Sequence, residues 1–391
     1  MRISRFGAAL TLALTLVVSL LPVRGEAPGM EPSGSGDPVQ AGIEKCRSFL
    51  LSDQNADGSW GSFREPRGAE NYGWTNIGTH RAWTAATTGI TCVALMDLES
   101  DIRPEEEAAL RRGLDFLLAE SRVKRVSSWD VDNTWGYVYA LEAAARGLLR
   151  KLPEPLPAAT RAGLLALGRD LVALLSRHQT PGGGWGYYDA PPFMRRPSWA
   201  TSFTTSAAIL SLLEARDAGI EVPQKMLDRS VRAVTRCRLP SGAYTYSVEA
   251  IPSPGSIVGI DQVKGSLSRI QAGNLALRRA GAGIESADLA HGLDEFFRYH
   301  RFLAIGRGRP IPHEAYYAVA GYFFFFGHYH AAGVIESLPV QERERYWTPL
   351  REKVLECQED DGSMWDFHSH RYHRAYGTAW GLSVLVRSLR G

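Results

Sequence analysis

The sequence predicts an all-α protein built as a single ring of six helical hairpins, an (α/α)6 toroid, and three observations predict it. The first is a recurring stretch: Gln54-Asn-Ala-Asp-Gly-Ser-Trp-Gly61 returns as Gln179-Thr-Pro-Gly-Gly-Gly-Trp-Gly186 and as Gln358-Glu-Asp-Asp-Gly-Ser-Met-Trp365. A worn copy reads Cys237-Arg-Leu-Pro-Ser-Gly-Ala-Tyr244. The second is its spacing. The aromatic residues stand at 60, 185, 244 and 365, so the gaps of 125, 59 and 121 residues share one period of about 60, with eroded copies near 129 and 307. The third is the alternation of segments around each copy, an amphipathic one before it and one rich in small residues after it, as in Thr88-Gly-Ile-Thr-Cys-Val-Ala-Leu95. Small side chains let the second segment sit in a crowded centre, so it reads as the inner helix of each pair.

Taken in order, the outer and inner segments pair as follows. The first outer helix runs from about Pro38 to Ser52 and its inner partner from Thr87 to Glu99. The second pair is 104–120 and 133–149, joined through Ser127-Ser-Trp-Asp-Val-Asp-Asn133, where Ser and Asp before an apolar helix suit N-caps. The third is 157–178 and 199–218, and the fourth 224–236 and 266–280, separated by a Pro-, Gly- and Ser-rich connection over 247–265. The fifth is 286–303 and 313–337; the sixth is 340–357 and 374–390. Prolines at 38, 104, 157 and 223 stand at outer-helix starts, where a missing N–H costs nothing.

The 391 residues carry 44 basic and 42 acidic side chains, a net charge of +2, which excludes the concentrated basic surface that nucleic acid requires. Arg2 and Arg5, an apolar run from Ala8 to Leu21 and Pro22-Val-Arg-Gly25 follow the order of a secretory signal peptide over residues 1–25. A disordered lead-in over 26–38 then precedes the ring domain, residues 39–391. Export to the periplasm or the exterior is expected, without a transmembrane anchor after cleavage. Cys46, Cys92, Cys237 and Cys357 are too few and too scattered for a disulfide scaffold. Cys46 precedes its Gln by eight residues and Cys357 by one, and that seven-residue difference is roughly 10 Å along a helix, beyond disulfide reach, so free, mostly buried thiols are expected.

Within each copy, Gly58, Gly183, Gly242 and Gly362 relieve a sharp reversal, Asp57 and Asp361 bond the turn, and the aromatic residue lies across the join between outer helices with the Gln amide against it. The pattern Gln-x-x-x-Gly-x-Trp in helical pairs resembles the QW motif of squalene-hopene cyclases and other terpenoid cyclases, and the repeats of protein prenyltransferase β subunits. The resemblance covers nearly all of residues 39–390. The toroid also occurs in complement-type thioester domains, whose Gly-Cys-Gly-Glu-Gln segment is absent here, and in some carbohydrate-active enzymes.

Chemistry in such a ring belongs at the starts of the inner helices. Asp130-Val-Asp-Asn-Thr-Trp135 resembles the Asp-x-Asp-Asp-Thr-Ala motif of class II terpene cyclases, which implies Asp132 as the acid that protonates an alkene and Asp130 as its companion; Asn133 replaces the third acid. Such chemistry needs a dry cavity whose aromatic faces stabilise a cation. Trp129, Trp135, Tyr137, Trp199, Phe203, Tyr316 and Tyr317 are the candidate walls. The competing reading makes Asp130 or Asp132 a helix cap.

Six of the ten histidines, at 313, 328, 330, 368, 370 and 373, fall in the last 79 residues. His313 and His373 each precede an inner helix and are expected to converge at one cavity mouth. Tyr372-His373 is similar to a zinc-binding element of prenyltransferase β subunits, which implies zinc or another divalent ion on His313, Glu314 and His373; His313-Glu-Ala315 stands where that family has Asp-x-Cys. No phosphate loop, nucleophile elbow or His-Glu-x-x-His helix is present. Asp132, Asp189 and Asp366 are the carboxylates to test for glycoside cleavage. The functional expectations are therefore a cyclase-like protein holding a small hydrophobic or aromatic-compatible ligand, a noncatalytic envelope protein binding a protein partner, or a glycan-active enzyme.

Overall fold

The computed structural model describes residues 37–63, 77–127, 130–188, 199–248 and 259–390, so the expected signal peptide, Trp129 and Asp189 lie outside the described residues. Among the described residues there are thirteen α-helices and isolated β-bridges but no strand. The first six are α1 Pro38–Ser52, α2 Ile77–Met96, α3 Pro104–Glu120, α4 Asn133–Leu149, α5 Ala158–His178 and α6 Ser202–Asp217. They are followed by α7 Gln224–Cys237, α8 Leu267–Arg279, α9 Ser286–Arg298, α10 His300–Gly306, α11 Phe323–Glu336, α12 Val340–Leu355 and α13 Tyr372–Ser388. No described helix is long and apolar enough to cross a membrane.

The inner ring closes: α2 packs on α4, α4 on α6, α6 on α8, α8 on α11, α11 on α13, and α13 back on α2. The α11 segment Phe323-Phe-Phe-Phe326 is apolar around its whole turn, and all four rings are buried. The outer helices α3, α5, α7 and α9 pack most closely on the inner helix that precedes each in sequence, α2, α4, α6 and α8, while α12 packs equally on α11 and α13. The pairing expected from the sequence, outer then inner, is therefore shifted by one helix. The first helix, α1, completes the ring by packing on the last, α13.

The largest departures from the expected helix boundaries are in α2, in α11 and in the fifth outer segment. The helix α2 begins at Ile77, ten residues before Thr87. The fifth inner helix begins at Phe323 because His313, Tyr317 and Ala318 have φ of 66°, 59° and 52°, the left-handed region that a helix cannot contain. The fifth outer segment breaks at Tyr299 into α9 and α10.

The repeated stretch joins three helices at each copy. The side-chain amide of Gln54 donates to Gly58 O and to Ala109 O on α3, both at 2.9 Å. That of Gln179 donates to Gly183 O (2.8 Å) and Met226 O on α7 (2.9 Å). That of Gln358 donates to Gly362 O (3.3 Å) and Gly42 O on α1 (2.9 Å), which closes the outer ring. The indoles of Trp60 and Trp185 donate back to Leu50 O and Leu175 O on the helix just ended. Their backbone amides donate forward to Thr88 Oγ1 and Thr205 Oγ1 on the next inner helix. Glycine is required at the turn: Gly58, Gly183 and Gly362 have φ of 87°, 97° and 85°, and a Cβ there would lie 2.5 Å or less from a carbonyl oxygen of the adjoining outer helix.

Two copies are corrected in register. In the last copy Met364, not Trp365, occupies the tryptophan slot, fully buried, with its amide on Thr378 Oγ1 at 2.8 Å, while the Trp365 indole bonds Glu359. In the worn copy Arg238, rather than Cys237, stands four residues before the turn glycine and pairs with Asp288 on α9 at 2.6 Å. All four cysteines are free and buried, as expected.

Replacing Gln179 with Ala removes two buried hydrogen bonds at the joint and is expected to lower stability by about 2 kcal/mol. Arg238→Ala breaks a partly exposed ion pair and should cost under about 1 kcal/mol. Urea unfolding of both variants measures the difference, and equal losses would remove the amide from its role as the joint.

Candidate functional site

Where the inner helices begin, the ring encloses a cavity of about 270 Å³. Its walls follow helical spacing of three and four residues: Trp83, Ala86, Thr87 and Ile90 on α2, Trp135 and Tyr139 on α4, and Tyr372, Tyr376 and Trp380 on α13. Phe203 on α6 and Tyr322, Phe323 and Phe326 at the start of α11 complete it, with Tyr187 and Phe367 from the loops. The rings interlock: Trp135 stacks on Tyr139 at 5.7 Å and Phe203 meets Phe323 edge-on at 5.1 Å. On the α8 side Arg269, 1% exposed, lies over the faces of Tyr246 and Phe323, and burial lowers its pKa to about 10.

Asp132 is the one carboxylate among the described residues lining this cavity. It occupies the N-cap position of α4 but makes no side-chain cap bond, because its backbone is left-handed (φ 65°, ψ 7°) and turns the carboxylate away from the helix amides. Oδ2 instead accepts the indole N–H of Trp83 at 3.0 Å, and Oδ1 has no partner among the described residues. Burial pushes its pKa up to about 6, against the opposing Trp83 hydrogen bond.

Asp130 has a different task. Its carboxylate, 1% exposed, accepts backbone N–H groups from Thr79, Val126 and Ser127 at 3.0–3.3 Å. It therefore pins the loop before α4 to the start of α2 and does not face the cavity, which corrects its expected catalytic role.

Of the expected walls, Trp135 and Phe203 line the cavity. Tyr137 points the other way, donating to Val123 O at 2.6 Å, since two residues along a helix from Trp135 is nearly the opposite face. Trp199 packs on Tyr187 and Tyr188 behind the wall. Tyr316 is 70% exposed, and Tyr317 lies against Phe302 and Lys264. Of the walls the sequence reading missed, Trp83 in the second turn of α2 and Tyr372 at the first position of α13 lie upstream of the starts expected for those helices. The i, i+4, i+8 series Tyr372, Tyr376, Trp380 was a signal that could have found them.

The expected metal ligands are not brought together. Among the described residues no three His, Cys, Asp or Glu side chains form a group able to hold a metal ion. His313 spends both ring nitrogens: Nδ1 donates to Ala318 O at 2.7 Å, so Nε2 accepts from Tyr322 Oη at 3.0 Å. Burial lowers its pKa, with the Ala318 bond opposing. Glu314 is exposed, and buried His373 packs on Trp365 and His368 while its Nδ1 accepts from the Ser369 amide. The donor set does not fit zinc.

Two phenols of the wall are backed by acceptors outside it. Tyr322 is backed by His313, and through Tyr246 a hydroxyl chain reaches Tyr187. Tyr376 donates to Asp366 Oδ1 at 2.6 Å. Asp366 is fully buried, accepts the Phe325 amide at 3.0 Å, and is pushed up to about 6 by burial.

No family model and no curated protein matches this chain. Solved structures do match along nearly its whole length. The type II terpene cyclase MstE from Scytonema covers 90% of this chain and 99% of its own at 12% identity and a TM-score of 0.51. An inactive variant of an α-1,6-mannanase from Salegentibacter sp. HEL1_6, in complex with α-1,6-mannotetrose, covers 91% and 100% at 11% identity and 0.57. A D-mannose isomerase covers 92% and 99% at 12% identity and 0.58. At such identities the likeness defines the class by fold: this chain is an α/α-toroid protein. The expectation of a squalene-cyclase-like member is finer than that likeness carries.

The raised pKa of Asp132 has a signed consequence. The native carboxyl holds its proton more tightly than the unfolded one, so stability falls as pH rises from about 4 to about 6 and is level above. Asp132→Asn is therefore expected to match the parent at pH 3 and to exceed it by up to about 3 kcal/mol at pH 8. Denaturation curves at the two pH values provide the check.

Proposed function

We propose that the aromatic cavity binds an apolar, unsaturated ligand of isoprenoid type and that Asp132 supplies a proton to one of its double bonds. The observation that carries this reading is a single carboxyl group, raised in pKa and left with one free oxygen, set in a wall of aromatic rings. The protonated acid gives its O–H proton to an alkene carbon; the π electron pair forms the new C–H bond and leaves a carbocation beside it. Ring faces such as those of Trp135, Phe203 and Trp380 stabilise that charge without offering a nucleophile. The cation ends by losing a neighbouring C–H proton, whose electron pair makes the new double bond. Tyr322 and Tyr376 are the phenols to accept it, each passing its own proton outward, to His313 or to Asp366. No oxidant or added water enters the balance, so the reaction class is isomerisation or cyclisation. The likeness to a type II terpene cyclase supports the fold of this reading.

A glycan is the rival ligand, since a mannanase and a mannose isomerase share the ring. Aromatic walls also stack on sugar rings. Two-carboxylate hydrolysis needs a second acid across the bond, however, and Asp366 does not line the cavity. A noncatalytic binding role keeps the cavity and loses the chemistry. Export is part of the proposal, resting on Arg2, Arg5 and the apolar run 8–21. Mass spectrometry of the mature N-terminus from a fractionated host tests it, and an intact residue 1–25 segment would refute it.

Incubation with linear polyprenes of graded length, followed by product analysis, tests the chemistry. Asp132→Asn is expected to lower turnover at least 100-fold while apolar-ligand quenching of tryptophan fluorescence persists. Parent turnover should decline as pH rises above about 6. Binding without turnover in the parent would leave a binding protein, and turnover of mannosides instead would establish the rival reading.

A further inference from the structure

The inner ring has a second end of opposite character. Between the C-terminal turns of the inner helices opens a separate cavity of about 440 Å³, lined by five carboxylates and five guanidinium groups. Every one of those guanidinium groups is engaged. Arg146 meets Asp97, Glu142 and Glu214 at 3.1–3.2 Å, and Arg150 meets Asp97 at 3.0 Å. Arg279 faces Glu214 and Asp217, Arg387 binds Glu336, and Arg390 binds Glu99. An incoming anion would have to break one of these pairs.

Two acceptors are not engaged. Both partners of Glu142, Tyr329 Oη at 2.6 Å and Arg146 Nη2 at 3.2 Å, take Oε1, so Oε2 has no partner among the described residues. The hydroxyl of Tyr139, a residue only 4% exposed, is buried without a hydrogen-bond partner among the described residues and feels the charge of Glu142. A buried unpaired hydroxyl costs stability in the empty protein, which a donor placed beside it would recover. With Asp97 behind the wall, six carboxylates face five guanidinium groups, and burial holds His330 neutral with a pKa of about 4. The set is one positive charge short when Glu142 is ionised. Leu149, Leu210 and Leu275 add an apolar strip to the same cavity.

We propose that this cavity binds a small primary alkylammonium, whose N–H groups donate to Glu142 Oε2 and Tyr139 Oη while its chain lies on the leucines. Burial already pushes Glu142 up to about 7 against the pull of Arg146, so an adjacent cation would hold it ionised. The site is independent of the chemistry proposed for Asp132, although Tyr139 borders both cavities.

Calorimetric titration with n-butylammonium chloride at pH 8 tests the proposal. Saturable binding is expected in the parent protein, weakened at least tenfold by Glu142→Gln and at least threefold by Tyr139→Phe. The second variant removes a hydroxyl that bonds nothing, so its fold is retained, and circular dichroism verifies this; should Glu142→Gln fail to fold, Tyr139→Phe decides. No saturable binding in the parent, undiminished affinity in Tyr139→Phe, or equal affinity for n-butanol overturns the proposal. Displacement by tetramethylammonium, which has no N–H to donate and suits aromatic faces, would place the amine in the other cavity and overturn it as well.

Discussion

Everything in this ring depends on one side-chain amide placed between two outer helices. A glutamine after α1, α5 and α12 gives one N–H to its own turn and another to a carbonyl on the next outer helix. Each bond is worth only about 1 kcal/mol net, but by making two at once the amide holds its own turn against the next outer helix. The glycine of the same turn lets the two backbones approach, and the following residue ties the turn forward to a hydroxyl of an inner helix. Repeated at three of the joins, this joint ties α1 to α3, α5 to α7 and α12 to α1.

Closure gives the inner ring two ends with opposed solvation. At the end where the helices begin, side chains of α2, α4, α11 and α13 meet as aromatic rings around one carboxyl. At the other, α4, α6, α8, α11 and α13 present arginines paired with carboxylates. Tyr139 marks the divide, with its ring on Trp135 and Trp380 and its hydroxyl toward Glu142. The low dielectric of the first end raises Asp132, and the dense charge of the second keeps its arginines charged.

The ring was legible in the sequence because its period is carried by a left-handed glycine in all four copies and a buried indole in two, a mark that composition does not leave. Asp132 was legible for a similar reason, standing just before an inner helix in a short acidic motif. What failed was direction. Tyr137 and Tyr139 look alike in a string, yet a shift of two positions on a helix turns one toward Val123 and the other toward the cavity. Trp83 was missed because α2 starts upstream of its small-residue core, and His313 because three left-handed residues hold back α11 and commit its imidazole to hydrogen bonds. Pairwise spacing cannot reveal a backbone angle.

The docking of α1 on α13 has a consequence for the time order of folding. The first helix made has its inner partner at the far end of the chain, and Gln358 reaches Gly42 across 316 positions of sequence. A nascent chain emerging from the ribosome can stack α2 through α12 pair by pair, but it must carry α1 with its apolar face uncovered until α13 has been translated. Loop-closure entropy grows only with the logarithm of that separation, so the latch is thermodynamically cheap and kinetically last. The seam of this ring is thus also the point at which synthesis, rather than geometry, decides when the protein becomes whole.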